Sequence, residues 1–386
     1  MHYPDKKRFL KLAKPGNIVP VYREILADFD TPLSAYSKID LGDYSFLLES
    51  IEGGERIARY SFLGSQPSAV FSVKGRTVEI RSSHGASSFM SENPMEELRK
   101  FFGNYRAVKV KGLPRFTGGL VGFLGYDMVR FMEEIPDNNP DTLDLPDSVF
   151  MLTDTILVFD HVDHKIKVVS NVRIDGPASA AYDEAVHKID AIVGRLKARA
   201  RTLPGHRPIK RAAVPVRLRS NLTRSQFESS VRKAKSYIRN GDIIQVVLSQ
   251  RLETPVESHP FEIYRALRSV NPSPYMYCLK LRDFYMVGSS PEIMVRCEDG
   301  NVEVRPIAGT RPRGLSEKED DKLAKELLAD PKERAEHIML VDLGRNDIGR
   351  VCDYKSVKVS ELMTIEKYSH VMHIVTDVSG RLKKGK

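Results

Sequence analysis

The sequence predicts an α+β fold whose sheets are antiparallel. Three hairpin signals and five separate helical patterns carry that prediction. Strand-like runs at 70–73 and 77–81 flank Lys74-Gly75, runs at 148–160 and 165–172 flank a turn at 161–164, and runs at 293–296 and 302–305 flank Asp299-Gly300, a strong two-residue turn signal. Helical patterns at 94–102, 178–200, 223–240, 261–270 and 315–328 stand between or after these hairpins. With 386 residues, 41% of them hydrophobic, the chain has material for a large core in one big domain or two.

In chain order, residues up to about 20 read as a weakly ordered lead-in. A strand at 44–48 ends at Glu49-Ser50, where Ser50 is by itself a strand-end hydroxyl. The segment from Gly118-Gly119 to Gly125-Tyr126-Asp127 is rich in glycine. It lacks the strand, G-x-G-x-x-G turn and helix of a dinucleotide site, so close backbone packing in a sheet explains it better. His161 and His164 read as turn residues rather than ligands. The helix at 178–200 has Ala181, Ala185, Ile189 and Ile192 near helical spacing, and a basic, proline-containing stretch follows it. The expected organisation is an N-terminal portion at 1–200, a basic linker at 201–220 and a portion carrying the chemistry at 221–386.

Thr223-Arg224-Ser225-Gln226 is a capping box, and Phe227, Val231, Ala234 and Ile238 give the following helix its apolar face up to Asn240-Gly241. Residues 242–252 are expected as a strand with Gln245, Val247, Ser249 and Arg251 on one face. Asn271-Pro272-Ser273-Pro274 stops the helix at 261–270 and fixes an extended turn. The last pattern, 366–380, fits a helix or a strand. Val371, Ile374, Val375, Thr376 and Val378 favour the strand, on which His370 and His373 face opposite ways and cannot share a metal.

The formal net charge is +9 and the pI about 9.2. The basic residues concentrate at 195–219 and 381–386 instead of forming one aromatic-interleaved stripe, which argues against a nucleic-acid partner. No apolar run reaches membrane-spanning length, and the N-terminus lacks a signal-peptide core. Cys278, Cys297 and Cys352 are sparse, odd in number and without metal spacing. The expectation is a cytoplasmic protein with no membrane partner.

The richest chemistry lies around the third hairpin. Ser289-Ser290-Pro291-Glu292 precedes it and the stretch 306–314, read as a loop, follows it. Glu292 offers a carboxylate, Gly309 permits close backbone approach, Thr310 donates a hydrogen bond, and Arg311 and Arg313 pair with carboxylates, a set suited to a small dianion. The alternative is a surface hairpin with a basic Pro/Gly turn. Glu333 and Glu336 share a helical face, where carboxylates are either solvated and salt-bridged or hold a metal.

Pro306-Ile307-Ala308-Gly309-Thr310-Arg311-Pro312-Arg313-Gly314 resembles the signature of the chorismate-utilising enzymes, and within them of the large subunits of anthranilate synthase. Glu333-Arg334-Ala335-Glu336-His337 leading into Val341-Asp342-Leu343-Gly344-Arg345-Asn346-Asp347 resembles a second family block, and Tyr368 to Val375 a third, in the family's order. The resemblance reaches back to about Leu47. It implies the family fold, a β-sandwich core of antiparallel sheets with helices packed outside. It also implies amination of chorismate by ammonia with loss of pyruvate, giving anthranilate, under feedback by L-tryptophan.

By the same resemblance Glu336 is a Mg²⁺ ligand, Glu292 and His373 are acid/base groups, and Gly309 and Thr310 bind a substrate carboxylate. Ser50 would contact tryptophan, with Pro274, Tyr275 and Met276 as the opposite wall of that pocket. Gln245 stands where water-adding relatives carry a basic lysine, and a neutral amide cannot activate water. Ala308 stands where aminodeoxychorismate synthase carries a nucleophilic lysine, which disfavours that rival. The chain has no cysteine in a G-x-C-x-G elbow, so ammonia is expected from a separate glutamine amidotransferase subunit. The family continues past Lys386. The resemblance therefore implies an incomplete chain, with a second Mg²⁺ carboxylate and further substrate contacts beyond it and little activity alone. A rival of another class is a non-catalytic tryptophan- or nucleic-acid-binding protein.

Overall fold

The computed structural model describes residues 1–51, 59–83, 85–198, 217–368 and 370–386. They fall into two compact units, one made of Met1–Arg201 with Tyr264–Lys386 and the other of Thr202–Ile263. The strands of the larger unit are β1 (Ile18–Leu26), β2 (Tyr44–Glu49), β3 (Tyr60–Ser65), β4 (Ala69–Lys74), β5 (Thr77–Ser82), β6 (Gly85–Met90), β7 (Gly119–Leu124), β8 (Ser148–Thr153), β9 (Thr155–Asp160) and β10 (Lys165–Arg173). After β11 (Arg219–Ser220) and β12 (Leu252–Glu253) of the smaller unit come β13 (Tyr275–Leu281), β14 (Phe284–Ser290), β15 (Arg296–Glu298), β16 (Asn301–Val304), β17 (Ile307–Pro312), β18 (Lys358–Lys367) and β19 (Val371–Arg381). The helices are α1 (Lys6–Leu12), α2 (Pro32–Ile39), α3 (Pro94–Gly103), α4 (Ala178–Leu196), α5 (Arg224–Asn240), α6 (Pro260–Val270), α7 (Glu317–Ala329) and α8 (Pro331–Val351).

Every strand pairing among these residues is antiparallel. A seven-stranded sheet runs β1-β10-β9-β3-β2-β13-β14, and a five-stranded sheet runs β6-β5-β4-β8-β7. Their facing side chains interdigitate: Phe46, Ile156, Val158 and Leu279 of the first meet Val70, Val121, Val149 and Met151 of the second in one buried cluster. This is the sandwich, and it follows from alternation, which gives each strand one apolar face to bury. Gly122 shows why β7 is rich in glycine. A side chain there would run into the Val149 carbonyl on β8.

Several expectations are corrected. The lead-in is ordered: α1 is capped by Asp5, and β1 pairs with β10 along nine residues. Pro20 is tolerated because β1 is an edge strand. The single strand expected at 148–160 is two strands in different sheets, broken at Asp154, whose carboxylate pairs with Lys188 of α4. In the smaller unit the capping box of α5 forms as read, with Gly241 left-handed at its end. Of the strand expected at 242–252 only Leu252 is in a strand, the first residue of β12, because a strand needs a ladder partner and β11 offers only two residues. The basic stretch expected as a linker lies mostly outside the described residues.

The third sheet runs β15-β16-β19-β17, with β18 on the other edge of β19. Asp299 and Gly300 both take positive φ and make the turn between β15 and β16. The first strand of this hairpin is Arg296–Glu298 rather than 293–296. One face of the sheet is covered by α7 and α8: Met372 and Ile374 pack on Leu327, and Val302 and Val378 on Val341 and Ile348. His337, Val341, Gly344 and Ile348, at 4-3-4 spacing, are the buried stripe of α8. No helix among the described residues is long and apolar enough to cross a membrane.

Candidate active site

The stretch 306–314, read as a loop, is mostly strand. β17 pairs with β19 from Ile307↔Val375 to Pro312↔Val371, and it keeps one irregularity. Ala308 faces Ile374 and Thr310 faces His373, so Gly309 is an extra residue, a bulge at φ +70°. A Cβ on Gly309 would lie 3.1 Å from Leu327, 3.3 Å from the Glu333 carboxylate and 3.3 Å from Ile374. Only glycine meets both the backbone and the space.

The bulge sets the histidine. His373 Nδ1 lies 2.9 Å from the Gly309 carbonyl and 3.1 Å from the Thr310 hydroxyl. A carbonyl only accepts, so Nδ1 carries the hydrogen and Nε2 presents the lone pair of the neutral ring. His373 shares the sheet face of Val375 and Asp377, while Met372, Ile374 and Thr376 point to the helices. Sequence reasoning had the strand right but could not see this bond.

Glu292 reaches the same strand at its start, where its carboxylate accepts the Ile307 N–H. Its side chain is largely exposed, yet desolvation of the carboxylate end raises its pKa against the opposing pull of that N–H. Such a group holds its proton to higher pH than an ordinary glutamate.

Glu333 approaches the bulge from the helix side, and Glu336 follows one turn later on α8. Among the described residues, no cluster of three or more His, Cys, Asp or Glu converges on a metal position. Two carboxylates one turn apart fit Mg²⁺, which commonly takes one or two protein carboxylates and completes its shell with water and substrate oxygens. The carboxylate beside Gly309 is that of Glu333, which the sequence reading paired with Glu336 but did not place. His373 and Glu333 thus flank Gly309 from opposite faces, and they meet at β17, an edge strand.

Arg311 and Arg313 do not wait for a substrate anion. Arg311 donates to Asp330 at 3.0 Å and lies 3.7 Å from Glu333. Arg313 grips Asp320 at 2.7 Å and 3.0 Å and donates to the Tyr368 carbonyl at 2.7 Å. These are ties from β17 to the acidic starts of α7 and α8. Arg313 and the Gly314 N–H hold the Asp320 carboxyl down to about 2. The folded pKa is below the usual carboxylate value, so this stabilisation is full above about pH 4 and is lost as pH falls toward 2. Thermal unfolding of wild type and Asp320→Asn should differ most at neutral pH and converge near pH 2.

His337, which sequence reasoning passed over, is fully buried and bonds Thr376 Oγ1 through Nε2 at 2.6 Å, pinning α8 to β19. Burial lowers its pKa, so the ring is neutral.

The residues assigned to an inhibitor pocket lie where β2 meets β13. The β2–β13 ladder ends at Glu49↔Met276, and beyond it the Ile51 N–H donates to the Ser273 carbonyl beside Pro274, so Ser50 lies alongside Tyr275. Ser50 Oγ is buried and has no hydrogen-bond partner among the described residues. Met276, although next in sequence, takes the opposite face with Glu49. There the Glu49 carboxylate is held by the Tyr264 hydroxyl at 2.6 Å and Arg268 at 3.1 Å.

Comparison with known proteins returns one family. Residues 44–386 match the family described as chorismate binding enzyme. Anthranilate synthase component 1 of Acetivibrio thermocellus is 46% identical over 389 residues, covering 100% of this chain and 78% of the relative. The protein of the same description from Aquifex aeolicus is 44% identical over 97% of this chain and 76% of its own length. The crystal structure of anthranilate synthase component I from Streptococcus pneumoniae superposes with a TM-score of 0.73 at 32% identity, covering 94% of this chain and 77% of that one.

Proposed function

Because this chain belongs to the chorismate binding enzymes, we propose that it aminates chorismate with ammonia and eliminates pyruvate to give anthranilate. Within the family the choice rests on Ala308. It is buried on β17, one residue before the bulge, and carries no nucleophile, so the ring is attacked directly by ammonia rather than by the protein.

The substrate lies across the edge of β17 at Gly309. A carboxylate of chorismate takes the Thr310 hydroxyl and the backbone beside it. Glu292, with its raised pKa, donates the proton that the departing ring hydroxyl needs. His373, its Nδ1 committed to the Gly309 carbonyl, uses Nε2 to move the proton lost on aromatisation. Glu336, with Glu333 one turn before it, would hold Mg²⁺, which when bound neutralises and orients the ring carboxylate. Glutamine-derived ammonia comes from a separate amidotransferase subunit, in keeping with the description of the relatives as component 1.

The full-length chain, purified and given chorismate, Mg²⁺ and an ammonium salt, should form anthranilate, read by its fluorescence, with one pyruvate for each. A product that keeps the enolpyruvyl group would make the enzyme an aminodeoxychorismate synthase. Absence of any product, with saturable tryptophan binding retained, would leave a binding protein.

Tryptophan feedback acts at Ser50 and Tyr275, whose shared face holds a buried hydroxyl with room in its bonding. Loss of one such bond is worth about 1.4 kcal/mol, or about tenfold. Ser50→Ala should therefore raise the tryptophan inhibition constant about tenfold, measured by anthranilate formation across a tryptophan titration.

A further inference from the structure

His373 has a neighbour that the reaction scheme does not use. Glu366 of β18 pairs directly with His373 of β19, as Thr310 does on the other side, so the three side chains form one row on one face. Directly opposed side chains have Cβ atoms about 5 Å apart, close enough for a carboxylate to capture an imidazole. It does not do so here. Glu366 Oε1 accepts from Arg305 Nη2 at 2.5 Å, and Oε2 accepts from the Tyr368 hydroxyl at 2.9 Å. Arg305 is itself set by Asp377 at 2.5 Å. The Tyr368 ring then meets the His373 ring edge-on, with centroids 5.5 Å apart and planes 64° apart. The Tyr368 backbone is fixed by Arg313 on its carbonyl and by its N–H, which donates to the Val371 carbonyl.

We propose that Tyr368 is a positioning residue for His373: with Arg305 it occupies the Glu366 carboxylate, and its ring braces the imidazole against the Gly309 carbonyl. The charged and titratable groups shown against the imidazole are Glu366, opposite it on β18, and Tyr368, edge-on to its ring, with Arg305 behind them bound to both Glu366 and Asp377. Tyr275, whose hydroxyl accepts from Arg296 at 3.2 Å, borders the same cluster. Of these, Glu366 is the anion placed to compete with Gly309 for Nδ1–H. An imidazole paired with Glu366 would bind its proton more tightly and turn away from the bulge.

This inference rests on the reading of His373 as the acid/base group, and the test separates the two. Tyr368→Phe keeps the ring and frees one oxygen of Glu366. The limb of the pH–rate profile belonging to His373 should move up by about one unit, with kcat/KM at neutral pH down about tenfold. Tyr368→Phe combined with Glu366→Gln removes the competing anion and should return the limb to its wild-type position. Nitrogen chemical shifts of the His373 ring should report the Nδ1-protonated tautomer in wild type and in the double variant. A Tyr368→Phe profile that superposes on wild type would overturn the proposal, as would a shift that Glu366→Gln leaves in place. Loss of the His373 role altogether would show separately, as activity retained in His373→Ala.

Discussion

Replacing His373 by alanine is expected to lower kcat for anthranilate formation by about 10²–10⁴-fold, the range supplied by one positioned general acid or base. Among the described residues the ring is tied through Nδ1, so what is lost is the chemistry of Nε2. The half-buried side chain lies on the face opposite the α7 and α8 packing, and its removal leaves the cluster of Leu327, Met372 and Ile374 intact. Folding should be little changed, with KM for chorismate moving less than kcat. His373→Gln sharpens the test. Its amide can donate to the Gly309 carbonyl as Nδ1 does, but it cannot titrate. If proton transfer is the role, glutamine is as poor as alanine. Recovery of activity with glutamine would reduce the histidine to a structural donor. The measurement is steady-state anthranilate fluorescence with saturating ammonium, so that supply from a partner subunit does not enter.

How far the sequence could lead here differs from element to element. Local signals were legible. Asp299-Gly300 turns where two positive φ values are needed, and Thr223 with Gln226 caps α5 reciprocally. Alternation placed β4 against β5 and β9 against β10. What could not be read was partnership over long separation. β13 joins β2 across more than two hundred residues of chain, and only that pairing brings Ser50 to Tyr275. The reading of 306–314 as a loop came from its glycines and prolines, and the strand there tolerates them through the bulge at Gly309 and the edge position of β17.

The two arginines of that stretch are the clearest misreading of chemistry. Arg311 and Arg313 look like carboxylate receptors, and they are, but the carboxylates belong to the protein. The acidic run Glu317–Asp321 and the α8 cap Asp330 were visible in the sequence as their partners. His337 carries a similar signal: its place on the 4-3-4 stripe of α8 marks it for burial rather than for a ligand.

The second large effect is expected at Gly309. Alanine there is strained by its φ of +70°, at a cost of about 1–3 kcal/mol, before any contact is counted. Its methyl group would sit 3.1 Å from Leu327 and 3.3 Å from both Glu333 and Ile374. Leu327 and Ile374 belong to a closed cluster and cannot both retreat. The cheaper escape is to flatten the bulge, which turns the carbonyl away from His373 and pushes the Glu333 carboxylate outward. One substitution then removes the bond that fixes the histidine tautomer and displaces an acidic group from the edge where chorismate is proposed to lie. Gly309→Ala should lose at least about 100-fold in kcat/KM for chorismate, while thermal unfolding shows a folded protein destabilised by only about 1–3 kcal/mol. Near-wild-type turnover in a folded Gly309→Ala protein would mean that the bulge plays no part in holding the substrate or the imidazole.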